Sequence, residues 1–232
     1  MSLTKWAASR LANYDDPASF ASRLRRARFG RFVALARQAA GSGERVSILD
    51  VGGTVRYWAQ VLDDSMRGLQ PVITIVTPAA TPAVTNDPRI RIVRGDGCDL
   101  AMFRDREFDV VHSNSVVEHV GDWARMQRFA AEIRRLAPRY YVQTPNFWFP
   151  VEPHSMTPFL HWMPLPWRLS LVQRYALGNW RRAGDVSEAM ARIEGARLLD
   201  RRMLQSLFPD AAIAVERFAL LPKSLIAVRE SE

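Results

Sequence analysis

The chain has 232 residues, 48% apolar and 24% charged, with 12 glycines and 14 prolines: enough to bury one large core, too little for two full domains. Its single cysteine, Cys98, excludes an intramolecular disulfide and a cysteine-built zinc cluster, and fits a reducing, cytoplasmic compartment. A net charge of +8 and a pI near 10.5 raise a nucleic-acid reading. Every cationic side chain except Lys5 and Lys223 is arginine, however, as a biased bacterial-type composition would give as readily as a selected face. Specific nucleic-acid binding is therefore not expected, whereas peripheral attraction to an anionic membrane or an anionic substrate stays open.

The N-terminus, MSLTKWAASRLANYDD, lacks the apolar core of a signal peptide. Residues 19–40 follow a helical period, with Phe20, Leu24, Phe32, Leu35 and Ala36 near one face. Arg23, Arg25, Arg26, Arg28, Arg31 and Arg37 lie mostly elsewhere, giving one basic amphipathic helix or two, ended by Gly41–Gly43. Short apolar runs follow at Val46–Val51, Val72–Val76, Ile90–Val93, Phe108–Val111 and Tyr140–Gln143. They are β-rich and nearly continuous, as parallel strands buried on both faces require.

Between them lie helix-like segments, the clearest being Gly121–Ala137, with Trp123, Met126, Ala130 and Ile133 on one face and Pro138 as its stop. Residues 147–184 hold four of the seven tryptophans and read as an aromatic insert over the sheet edge. The apolar zone at 156–177 is broken by Pro164, Pro166, Arg168 and Arg174, so no membrane span is expected. A short helix at Met203–Phe208 then precedes strands Ala212–Phe218 and Ser224–Arg229, an antiparallel pair turning around Leu221-Pro222-Lys223. The pattern is a single domain. It comprises an N-terminal basic segment (1–43), a doubly wound α/β core (44–146), the insert (147–184) and a terminal helix with a strand pair (185–232).

Ligand sites in such sheets lie at the carboxyl ends of the strands, and three of those ends are distinctive. The first reads SILDVGGT, with Asp50, Gly52 and Gly53 at the turn; the third leads into Gly95-Asp96-Gly97; the fourth into His112-Ser113-Asn114-Ser115 and then VVEHV. Over residues 44–147 these motifs resemble the class I S-adenosylmethionine-dependent methyltransferases, particularly the small-molecule, type 11-like group whose fourth strand reads like FDVVHSNSVVEHVGDW. The resemblance implies a Rossmann-like, mostly parallel seven-stranded sheet with a C-terminal antiparallel strand, and S-adenosylmethionine as cofactor. It assigns Asp50, Gly52 and Gly53 to the methionine part of the cofactor, and Asp96 with Gly97 to the adenine. Ser113, Asn114 and Ser115 fall at the sulfonium and acceptor.

Two positions depart from that pattern: Thr54 stands where the glycine-rich turn wants glycine, and the acid expected at the ribose hydroxyls is the neutral Thr77. A hydroxyl makes a weaker hydrogen bond than a carboxylate. That loss also counts against a nicotinamide dinucleotide.

Methyl transfer to a hydroxyl or amine needs alignment and removal of a proton. His119, with neighbouring Glu118, is the first candidate base, and a structural histidine at a helix start is the equal alternative. After the fifth strand, QTPNFWFPVEPH offers Asn146, Trp148 and Glu152 as acceptor contacts and His154 as a further catalytic candidate. Tyr57, after the glycine turn, is another contact candidate. The four histidines show no ligand spacing and no metal is expected. The function read here is methyl transfer to an oxygen or nitrogen of a small apolar, aromatic or lipid-like acceptor. The alternatives are a glycan or nucleotide-sugar acceptor, and a protein that keeps the fold to bind the cofactor or use it otherwise.

Overall fold

The computed structural model describes residues 20–78 and 85–230. Helix α1 (Phe20–Ala40) leads into β1 (Arg45–Val51), α2 (Val55–Ser65), β2 (Gln70–Thr77), β3 (Ile90–Arg94), β4 (Val110–Asn114), α3 (Trp123–Leu136) and β5 (Arg139–Pro145). The insert holds a two-stranded hairpin, β6 (Val151–Glu152) and β7 (Thr157–Pro158), then α4 (Leu165–Arg174) and α5 (Val186–Glu194). The chain closes with α6 (Arg201–Leu207), β8 (Ala212–Phe218) and β9 (Leu221–Arg229).

One seven-stranded sheet runs in the order β3-β2-β1-β4-β5-β9-β8. The first five strands are parallel, and β9 runs antiparallel to both neighbours. This is the doubly wound sheet the alternating pattern predicts, and apolar layers on both its faces account for the unbroken runs. On one face, Leu49, Val51, Val111, Tyr140 and Val142 pack against Met126, Phe129 and Ile133 of α3 and Leu204 of α6. On the other, Val46, Ile48, Ile73, Val110 and Tyr141 meet Phe29, Phe32 and Leu35 of α1 and Trp58 and Leu62 of α2. A smaller cluster, Val172, Ala183, Ala189 and Ile193, joins α4 to α5.

The N-terminal helix is one helix, not two, and Gly41 with φ 59° ends it. The cationic face at Arg23, Arg25, Arg26 and Arg28, with Phe20 and Leu24, lies outside the described side chains. Element ends shift by one to three residues from the sequence reading, and two of the differences have a clear physical reason. Strand β4 begins at Val110 and runs on through His112 and Ser113 to Asn114. These polar residues tolerate a central strand because both are satisfied there: His112 Nδ1 donates to Asp50 Oδ1 at 2.8 Å and Ser113 Oγ to the Val51 carbonyl at 3.0 Å. The last hairpin turns at Ala219 and Leu220, whose φ angles are 46° and 72°. Pro222 lies inside β9, beside a register shift at Glu216/Arg217, where a bulge accommodates its missing N–H.

The far edge of the core is clamped by Asp210, in the loop between α6 and β8. Tyr140 Oη donates to its Oδ1 at 2.6 Å, Arg134 Nε lies 3.0 Å from the same oxygen, and an Arg229 nitrogen lies 2.6 Å from Oδ2. Burial pushes the carboxyl upward, but the tyrosine hydroxyl and two arginines outweigh it and hold it below the usual aspartate range. A carboxylate so depressed stabilises the fold above its unfolded value, and that contribution disappears as pH falls through the folded value. Asp210→Ala is expected to cost about 2 kcal/mol in urea unfolding at pH 7. The gap from the parent protein should narrow as the pH is lowered below about 4.

Candidate active site

The strand order reverses between β1 and β4, the crevice where doubly wound sheets bind ligands. Asp50 ends the exposed reach of β1 from behind: it is fully buried, with Oδ1 on His112 and Oδ2 accepting from Trp58 Nε1 at 2.6 Å. Both oxygens are spent, so Asp50 anchors the turn. Gly52, with φ 78°, has a backbone that side chains rarely adopt, and a Cβ there would lie 2.5 Å from a Val116 methyl. A Cβ on Gly53 would fall 1.6 Å from Asp50 Oδ2. The glycine pair is thus required by packing beneath the crevice. Thr54 caps α2, its hydroxyl accepting from the Tyr57 N–H at 3.2 Å, which gives that departure from a glycine turn a local reason.

Thr77 closes β2, half-buried, at the neighbouring strand end. Asp96 follows β3 and accepts from the Cys98 N–H at 3.0 Å and from Arg125 at 2.7 Å. Those donors hold its carboxyl below the ordinary aspartate range, and its side chain is 48% exposed. A Cβ on Gly97 would press on Val51 and Phe129 at 2.8 and 3.0 Å. Ser113 is buried and faces inward; Asn114 is half-buried at the end of β4; Ser115, with φ 57°, donates to Gln143 Oε1 at 3.0 Å. An ionised acceptor, a hydroxyl and a glycine turn at adjacent strand ends fit a nucleoside with a charged tail.

A second cluster lies past β4 and β5. Glu118 is buried in the single turn Val117–His119; its Oε2 accepts from Thr144 Oγ1 at 3.0 Å, while Oε1 has no hydrogen-bond partner. Burial pushes its carboxyl up to about 7, against the smaller opposing pull of hydrogen bonds. His119 Nδ1 sits 2.7 Å from the Gly195 carbonyl, and burial lowers its basicity. His154 Nδ1 sits 2.7 Å from Glu152 Oε1; burial lowers it too, but the carboxylate dominates and raises it. Glu152, buried and so pushed up, is pulled lower overall by His154 and Ser155. The two rings meet at 3.1 Å between their Nε2 atoms.

The sequence candidates thus divide. His119, Glu118, His154 and Glu152 converge, joined by Thr144, a polar strand-end residue of the QTPNFWFPVEPH motif, and by the Gly195 carbonyl, which no sequence signal marked. Asn146 does not join them: its amide donates to the Pro222 carbonyl at 2.9 Å and its oxygen accepts from the Trp148 N–H at 3.2 Å, shaping the loop. Trp148 is 59% exposed. Tyr57 stands on the α1–α2 face, stacked on His112 at 5.5 Å between centroids.

Residues 49–139 match a family model described as a methyltransferase domain. No curated protein matches the chain significantly. Among solved structures, PH0226 from Pyrococcus horikoshii OT3 is similar at 14% identity and a TM-score of 0.53, over 97% of this chain and 96% of that one. A SAM-dependent methyltransferase from Archaeoglobus fulgidus is similar at 12% identity and a TM-score of 0.54, over 89% of this chain and 92% of that one. An O-methyltransferase family protein from Burkholderia thailandensis gives 16% and 0.52, over 88% of this chain and 55% of the longer one. These identities speak for the fold, and the family model for the core built upon it. The matched stretch takes in the motifs of β1, β3 and β4, and there the core of this chain is similar to a methyltransferase domain.

Proposed function

We propose that the chain methylates an oxygen or nitrogen of a small apolar, aromatic or lipid-like acceptor. The observation that carries this reading is that one loop, residues 146–154, bears both a polar cluster and exposed aromatic surface. Trp148 stands 5.1 Å from Phe147 and 6.3 Å from Trp162 between ring centroids, and Trp162 is 40% exposed. His161 and Trp162 both lie 2.8 Å from the Phe147 carbonyl, which ties the aromatic group to the end of β5. Apolar walls with a few fixed polar groups suit a small organic acceptor.

In this reading Asp96 accepts from the adenine amine, Gly97 leaves room beside it, and Thr77 takes the ribose hydroxyls in place of an acid. The Gly52–Gly53 turn, held from below by Asp50, borders the methionine part; Asn114, with Ser113 and Ser115 fixing the strand end around it, borders the reacting centre. S-adenosylmethionine supplies a methyl group already activated on a sulfonium. The chain's own residues then align the acceptor and take its proton: His119, neutral through burial and oriented by the Gly195 carbonyl, accepts at Nε2. His154, held at its Nδ1 by Glu152, stands 3.1 Å from that same Nε2 and fixes its direction, with Glu118 in the same cluster.

Calorimetric titration should give micromolar binding of S-adenosylhomocysteine, weakened at least tenfold by Asp96→Ala, about 1.4 kcal/mol. Absence of binding by the parent protein would leave a fold without this chemistry. With an acceptor in hand, His119→Ala should lower kcat about a hundredfold or more while cofactor affinity stays within about twofold. Equal loss in affinity would make His119 structural.

The same face supports a lipid-like acceptor. Trp167 is 67% and Phe159 51% exposed, and the same insert carries the exposed Arg174, Arg181 and Arg182, the amphipathic composition that membrane interfaces favour. No helix among the described residues is long and apolar enough to cross a membrane. Vesicles containing phosphatidylserine should therefore co-sediment the protein, neutral vesicles much less, and Trp148→Ser with Trp167→Ser should abolish the difference. Indifference to vesicle charge and to both tryptophans would favour a soluble acceptor, a sugar or nucleotide-sugar among them.

A further inference from the structure

The two imidazoles of the acceptor cluster meet in a way that their own hydrogen bonds make unfavourable. A carbonyl oxygen only accepts, so the 2.7 Å contact with Gly195 puts the His119 proton on Nδ1. The Glu152 carboxylate, which also accepts from the backbone N–H groups of His154 and Ser155, puts the His154 proton on Nδ1 likewise. In the neutral rings both Nε2 atoms are then lone pairs, and they face each other at 3.1 Å. Such an arrangement calls for a cation between them.

The ring geometry departs from a straight hydrogen bond in the direction a larger bridging cation requires. A straight N–H···N bond of that length would separate the ring centroids by about 5.4 Å. The observed separation is 4.8 Å, with the planes at 83°. Two lone pairs converging at about 2.05 Å on one point, the length of a zinc–imidazole bond, instead give a centroid separation of about 4.8 Å and an angle there of about 98°.

A third donor is at hand. Glu118 is 1% exposed, and its unpartnered Oε1 belongs to a carboxyl that Thr144 satisfies on the other oxygen only. One ligand atom from each of Glu118, His119 and His154 lies within 4.8 Å of the other two. Closing that spread onto one ion needs a movement of Glu118 of about 1 Å. The outer partners are those a metal-bound histidine uses: a backbone carbonyl behind His119 and a carboxylate behind His154.

We propose that Glu118, His119 and His154 form a binding site for a divalent transition-metal ion, held by two imidazole nitrogens and one carboxylate oxygen with a coordination position open to solvent or acceptor. Two imidazoles with a carboxylate favour zinc, cobalt or iron over calcium and magnesium. Ion binding needs only these protein groups and is independent of the acceptor proposed above. In the loaded protein the imidazoles serve as ligands, and an acceptor hydroxyl bound at the open position loses its proton more readily through the ion.

The test is a titration of the chelator-stripped full chain with Co2+, followed by visible absorption and calorimetry. One ion per chain is expected, with the ligand-field bands of a nitrogen- and oxygen-bound site. His119→Ala and His154→Ala should each weaken binding at least a hundredfold, Glu118→Gln and Glu152→Gln at least tenfold, and His161→Ala not at all. Circular dichroism checks that each variant folds, and His154→Asn replaces any that does not. Absence of saturable Co2+ binding, or equal affinity in folded His119 and His154 variants, overturns the site. Co2+ binding by a protein that ignores S-adenosylhomocysteine would sustain the site and sink the methyl-transfer reading instead.

Discussion

At the centre of the sheet a carboxylate with no exposure, Asp50, is held by an indole N–H from α2 and an imidazole N–H from β4. Leaving one partner of such a buried pair alone costs about 3 to 5 kcal/mol, so three elements are fixed together by a single side chain. Its position also dictates the turn above it. The Asp50 oxygen occupies the space of a Gly53 side chain, and Val116, leading out of β4, occupies that of Gly52. The crevice floor therefore follows from how this acid is satisfied, and its glycines are as much a consequence of packing as a preparation for a ligand.

From that floor the rest of the site follows the sheet. Polar groups at the carboxyl ends of β2, β3 and β4 are brought side by side by parallel pairing, with Thr77 in register with Arg94 and Asn114 with Gln143. The loop after β5 crosses above β4's end and carries Glu152 and His154 to Glu118 and His119. Its fixed points are backbone ones: Phe147 donates to the Leu199 carbonyl at 2.9 Å, and Arg197 to the Glu118 carbonyl at 2.7 Å. The segment after α5 thus closes both the insert and the acceptor cluster. A loop held at both ends can present rigid imidazoles without a large core of its own.

The strands were legible because strands buried on both faces are mostly apolar, and the runs at β1, β2 and β5 follow that rule apart from Asp50, Thr74, Gln143 and Thr144. The exception in β4 explains itself: His112 and Ser113 look like loop residues until partners 62 positions away are known. The glycine turn was legible as a place and only half legible as a cause, since Val116 and Asp50 are what exclude side chains there. Glu118, His119, Glu152 and His154 were readable as single candidates. Their meeting was not, because the contact between His119 and His154 spans 35 residues and no local periodicity encodes it. Asn146 shows the reverse: a polar residue in a suggestive motif whose hydrogen bonds are consumed by its own loop.

The two buried acids beside β4 mark the difference between scaffold and site in physical terms. Asp50 has both oxygens answered by fixed donors, so nothing about its surroundings asks for a further partner. Glu118 is equally buried, yet it has one oxygen answered and one bare, and burial has pushed its carboxyl up to about 7. An unanswered buried acceptor costs about 1 to 3 kcal/mol, a cost that packing alone could have removed with an apolar residue of the same size. One oxygen of this carboxylate lies within 4.8 Å of a nitrogen on each of two imidazoles, His119 and His154. A surplus buried acceptor so close to two ring nitrogens is complemented by a positive charge.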